Sequence, residues 1–152
     1  MKYLHAPLLA WLAAAPLFAG AAPPPVPPPV TTWQPTWVAS PQPVWDDGYV
    51  LPLGMPRMLH DTTLRQTLRT SLGGERLRLV LSNEYGTAPL NVGRMTVRVQ
   101  GGAQALPVRF QGAGDAVVAP GARLLSDPVA LPTQAGDRLE VDLHLRGAAT
   151  VA

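Results

Sequence analysis

Leu139-Glu140-Val141-Asp142-Leu143-His144-Leu145 is the stretch on which the reading of this chain turns. Four aliphatic side chains alternate with three polar ones, a period of two. On a strand that puts Leu139, Val141, Leu143 and Leu145 on one face and Glu140, Asp142 and His144 on the other. A helix would scatter the same residues around its circumference. The period recurs upstream, where Leu64, Gln66, Leu68, Thr70 and Leu72 alternate with Arg65, Thr67, Arg69 and Ser71, and Leu77, Leu79 and Leu81 with Arg76, Arg78 and Val80. Gly73-Gly74 separates these two runs. Tight turns need the positive φ that Gly tolerates, so residues 64–82 are read as a β-hairpin.

Further alternating or apolar runs occupy 92–99, 106–110, 116–119 and 124–131, divided by Gly101-Gly102, by Gly112 and Gly114, and by Pro120-Gly121. Pro128 cannot donate to a ladder, which marks its run as an edge strand or a bulge. Seven to eight short strands with short turns and no helical period predict an all-β fold, an antiparallel jelly-roll-like β-sandwich.

Composition agrees. With 18 Pro and 14 Gly among 152 residues, long helices are disfavoured, and the length suits a single domain with one core. Charged residues are 14% and hydrophobic residues 47%, which places the chain among folded proteins rather than charge-rich disordered ones. Lys2 is the only lysine, so eleven of the twelve basic groups are Arg, set against ten acids for a net charge of +2. So small a net charge lacks the long-range field of a nucleic-acid binder, and no nucleic-acid partner is expected. The absence of Cys excludes a disulfide framework, a thiolate zinc site and a Cys nucleophile together.

Residues 1–21 have the pattern of a secretory signal: basic Lys2, an apolar run over 8–18, and Ala19-Gly20-Ala21 before a cut after Ala21. The apolar run is far short of the ~20 residues a spanning helix needs, so a secreted or periplasmic protein without a stable membrane anchor is expected. Residues 22–43 carry nine prolines, including Pro23-Pro24-Pro25 and Pro27-Pro28-Pro29, and read as an extended Pro-rich linker. The sandwich domain takes the remainder, 44–152.

No catalytic constellation can be assembled. Ser40, Ser71, Ser82 and Ser126 all lie outside a G-x-S-x-G elbow, and His60 and His144 are the bases left after the signal. His60-Asp61 are neighbours in a loop, while Asp142 and His144 share a strand face, which gives at most two of the three or four ligands a zinc site needs. No catalytic residue, metal site or cofactor is assigned.

Four blocks stand in a distinctive order: Thr36-Trp37-Val38-Ala39-Ser40-Pro41-Gln42; Thr63 to Gly74; Leu77 to Leu90, with Leu81-Ser82-Asn83-Glu84-Tyr85-Gly86-Thr87-Ala88-Pro89-Leu90; and Val118-Ala119-Pro120-Gly121-Ala122 followed by Ser126-Asp127-Pro128-Val129. Together they resemble the N-terminal β-sandwich region of secreted bacterial SGNH/GDSL-type hydrolases, which are esterase- or lipase-like enzymes. The resemblance runs from about Trp37 to Leu145. It implies esterase chemistry on acyl or acetyl esters, performed by a following α/β domain that opens with a Gly-Asp-Ser nucleophile block. That block has no match in the sequence: Gly114-Asp115 is followed by Ala116, and Asp142 and His144 are one residue too close for the family's Asp-x-x-His pair. No catalytic residue is carried over. The resemblance thus implies a non-catalytic accessory domain, the front half of such an enzyme, packing against or positioning substrate for an SGNH-type catalytic domain in cis or on a separate chain.

Two sets of residues suggest binding. In the hairpin, Arg65, Arg69, Arg76 and Arg78 all leave the Leu-lined face, so four guanidinium groups would share one surface able to hold carboxylates or polyanionic sugars. The same pattern also describes a solvated face whose Arg stems cover apolar surface. Trp33, Trp37 and Trp45 offer flat rings for a sugar or for anchoring the leading segment. Trp37 and Trp45 flank Val38-Ala39 and Val44, which favours anchoring, and Trp33 is the better candidate for exposure. The alternative function is therefore a free-standing secreted carbohydrate- or polyanion-binding module with a polysaccharide partner.

Overall fold

In the computed structural model, which describes residues 32–43 and 58–150, the alternating runs become antiparallel strands. They are β1 (Met58–His60), β2 (Thr63–Arg69), β3 (Val80–Ser82), β4 (Leu90–Val99), β5 (Leu106–Val108), β6 (Ala116–Val118), β7 (Arg123–Leu125), β8 (Arg138–Leu145) and β9 (Ala148–Thr150). No helix occurs among the described residues. All nine strands lie in the unit Gln34–Ala152.

The main sheet has the order β2-β8-β4-β5, with β6 pairing the start of β4 on the edge that β5 occupies further along. Leu139, Val141 and Leu145 of β8 and Val92, Met95 and Val97 of β4 are buried on its inner face, where the alternation placed them. Over this face lies the second layer, β3 paired with β7. Leu77, Leu81 and Val129 from this layer join Met95, Val97, Val108, Phe110, Val118, Leu139 and Val141 in one core. A smaller core of Leu59, Leu145 and Ala149 lies under the β1–β9 pair. The all-β antiparallel sandwich read from the sequence is the observed architecture.

The hairpin over 64–82 is not formed. β2 pairs with β8 and β3 with β7, so the two halves of that stretch lie in different sheets. Gly73-Gly74 is a crossing between layers. A Cβ on Gly73 would lie 2.6 Å from the Thr133 carbonyl oxygen, and Gly74 exchanges two backbone bonds with Thr133, of 3.0 and 2.8 Å. The Gly pair answers to close backbone approach, and both a turn and a crossing use that property. Pro128 does sit in a bulge: Val80 faces Leu125 while Leu77 faces Val129, so Ser126-Asp127-Pro128 stand opposite the two residues Arg78 and Leu79.

Part of the Pro-rich stretch is tied to the sandwich. Thr36 Oγ1 donates to Leu72 O (2.9 Å) and accepts from the amides of Ser71 and Leu72, and the Ser71 hydroxyl donates back to Thr36 O at 2.7 Å.

Candidate functional site

The polar face of the main sheet is built from rungs. Residues 63, 65, 67 and 69 of β2 stand opposite 144, 142, 140 and 138 of β8. The bonds flanking this set, Leu145 N to Thr62 O and Thr70 N to Asp137 O, identify the rungs as the narrow, non-hydrogen-bonded pairs in which side chains lie closest. Three rungs are complementary. Thr63 Oγ1 meets His144 Nδ1 at 3.2 Å, and Arg65 grips Asp142 with both arms of its fork at 2.7 and 2.8 Å. Thr67 faces Glu140, whose carboxylate is held from the other side by Arg98 Nε at 2.7 Å, with Gln100 Nε2 at 3.4 Å. The bonds from Arg65 and Arg98 hold Asp142 and Glu140 below the ordinary carboxylate range. The fourth rung is Arg69 opposite Arg138, two cations.

Of the arginines singled out in the sequence, Arg65 and Arg69 share this face. Arg76 and Arg78 do not, because they flank Leu77, which bridges Val129 in the second layer, and both are exposed there alongside Val80. The single surface of four guanidinium groups required the hairpin and is not assembled. Trp33 and Trp37 are 41% and 48% exposed. At this point the leading segment is anchored by the hydroxyl and carbonyl of Thr36 beside Trp37. Trp45 lies outside the described residues.

At one end of the sandwich a polar group gathers around Gly93. β4 and β8 slip register between Val92 and Arg94, leaving Gly93 as an extra, buried residue. A Cβ there would meet His144 Cδ2 at 2.8 Å and Arg146 Nε at 2.9 Å, so the glycine makes room for both side chains. Arg146 pairs with Asp115 at 3.1 Å, and the two line a shallow cleft of about 390 Å³ with Asn91, Val92, Ala116, Val117 and Gly147. Nearby, Asp61 is held in the left-handed region (φ 44°) by a bond from Gly147 N to its Oδ1 (2.8 Å) and lies 2.9 Å from His60 Nδ1. The Gly147 amide is the main reason its carboxyl stays below the usual range. Among the described residues no group of three or more His, Asp or Glu converges as a metal site. His144 meets the Thr63 hydroxyl through Nδ1.

The four sequence blocks meet in space two by two. Thr36 of the first bonds Ser71 and Leu72 of the second. Asn83 of the third donates from Nδ2 to Val118 O of the fourth (2.9 Å) and to Ala88 O (3.0 Å), while its backbone bonds Ala122 O and Gly121 N. Buried Ser126 accepts the Leu79 amide at 2.9 Å and donates to Asp127 O. The Asp127 carboxylate takes the amides of Gln111 and Gly112 at 3.1 and 2.7 Å. Glu84, bonded by Arg123 at 2.7 Å and by the Ser82 hydroxyl, is likewise held below the ordinary range. Among the described residues, no buried side-chain polar atom lacks a partner.

Arg94, Arg98, Arg138 and Arg146 complete these surfaces and were not singled out in the sequence. Each lies on or beside an alternating run, so its outward direction was readable. Its neighbours were not, because strand order decides them. No family model matches the chain, and a search of curated proteins finds no match.

Proposed function

We propose that the chain is a non-catalytic accessory β-sandwich of a secreted SGNH/GDSL-type esterase, packing against or positioning substrate for a catalytic domain. The observation that carries this reading is the use made of the polar residues in the four resembling blocks. Thr36, Asn83 and Ser126 bond backbone groups of the sandwich itself, joining first block to second and third to fourth, and Asp127 bonds the amides of Gln111 and Gly112. A hydroxyl or carboxylate satisfied in that way is a structural fastener and is not presented to a substrate.

An accessory domain also needs a face that a second domain can cover. The outer side of β3–β7 supplies one: Val80 and Leu125 are register partners and are 57% and 49% exposed, an apolar pair standing away from the core. The test takes the protein without its signal. It is expected to hydrolyse a chromogenic acetyl ester no faster than a heat-denatured control. Joined to an SGNH catalytic domain, it is expected to raise that domain's melting temperature, and Val80→Asp with Leu125→Asp is expected to abolish the rise. Ester hydrolysis above the control, or a catalytic domain indifferent to the sandwich, overturns the proposal.

A further inference from the structure

The outward rungs of β2 and β8 obey one rule until the last. Hydroxyl meets imidazole, guanidinium meets carboxylate, and Thr67 meets a carboxylate already bridged to Arg98; then Arg69 meets Arg138. Like charges directly opposite on a narrow pair disfavour the sheet, and among the described residues the ion pairs are made by other arginines: Arg65, Arg98, Arg123 and Arg146. Of the acids on β8 and just before it, Glu140 is paired with Arg98, and Asp137 accepts the Gln134 amide through Oδ2 at 2.8 Å. Gln100, which follows β4 and whose backbone amide donates to Arg138 O at 2.7 Å, brings a neutral side chain to the same end of the sheet.

We propose that Arg69 and Arg138 form an oxyanion site that takes a carboxylate carried on an acidic polysaccharide. The register sets the two exposed arginines directly opposite each other, within reach of one planar carboxylate that accepts N–H donors from both, and the bound charge removes the repulsion within the rung. A polymer fits better than a free ion. Gln134, Ala135 and Gly136 beside the rung are exposed and build no wall around a small ligand. Arg94 stands on the same face beside His144, six β2 residues from Arg69, or about 20 Å at the rise of a strand. A chain laid along the face would reach both ends. The inference does not depend on the esterase reading.

Affinity electrophoresis of the folded protein through polygalacturonate tests it. The natural protein is expected to be retarded at low salt. Arg69→Gln with Arg138→Gln is expected to weaken retardation at least about tenfold, the scale of losing charge-assisted bonds. Arg76→Gln with Arg123→Gln removes the same charge from the other layer and is expected to leave retardation in place. Galacturonate monomer as competitor separates a free-ion site from a polymer site, and millimolar competition would overturn the polymer assignment. Arg138→Gln alone is expected to keep or raise the melting temperature in the absence of ligand, so lost retardation is not lost folding. No retardation of the natural protein, or equal loss in the two double variants, overturns the site.

Discussion

Where β4 runs beside β8, seven register pairs make a nearly continuous ladder; where β3 runs beside β7, three pairs do, and the rest of that layer is joined by single bridges at Leu77–Val129 and Gly74–Thr133. The two layers share one core but are secured differently. The main sheet rests on backbone pairing and on alternate aliphatic side chains. The second layer rests on side chains that reach backbone groups: Asn83 to Val118 and Ala88, Ser126 to Leu79, Asp127 to Gln111 and Gly112. A bulged, short-stranded layer can thus be held by a few polar side chains, each satisfying a backbone group that a regular ladder would otherwise satisfy.

That contrast can be broken first at the crossing between layers. Gly73→Ala drives a methyl group against the Thr133 carbonyl, and overpacking against backbone is expected to lower stability by about 2 kcal/mol in urea unfolding, despite the gain from a stiffer unfolded chain. A neutral result would mean that the layers meet more loosely than their backbone bonds imply. Ser126→Ala comes next, at about 1–2 kcal/mol, because it orphans the Leu79 amide from a side chain only 3% exposed. The matched change on the polar face of the main sheet, Thr67→Ala, is expected to stay within about 0.5 kcal/mol. Equal losses at Ser126 and Thr67 would erase the distinction between the layers.

The smallest effect belongs to the paired carboxylates. Folding lowers Asp142 and Glu140 from ordinary values of 3.8 and 4.5, so the folded chain binds protons less readily than the unfolded one. Their contribution is complete at neutral pH and is lost as the pH falls through and below those values. The urea midpoint is therefore expected to decline in acid, with a shallower decline in Asp142→Asn and Glu140→Gln. Because these groups lie at the surface, salt should flatten the same slope.

The main sheet was largely legible in the sequence, since the outward and inward sets of β8 follow directly from Leu139 to Leu145 and those of β2 from Leu64 to Leu68. The second layer was not. Its strand residues could be named, but Leu77 and Leu81 find partners some fifty and forty residues away across a bulge at Ser126-Asp127-Pro128, and no local pattern encodes that pairing. β1 and β9, three residues each, were too short to show a period. The Arg surface failed for the same reason as the hairpin on which it was drawn. Arg69 meets Arg138 because β2 pairs with β8, whereas Arg76 and Arg78 follow Gly73-Gly74 into the other layer.

Thr36, Asn83, Ser126 and Asp127 are spent on building the sandwich, by bonding its own backbone groups. Urea unfolding of Asn83→Ala addresses this most directly. Losing the amide that joins Val118 and Ala88 is expected to lower stability by about 2 kcal/mol with an unchanged denaturant slope. An unfolding midpoint equal to that of the natural protein would contradict the claim and free Asn83 for another role.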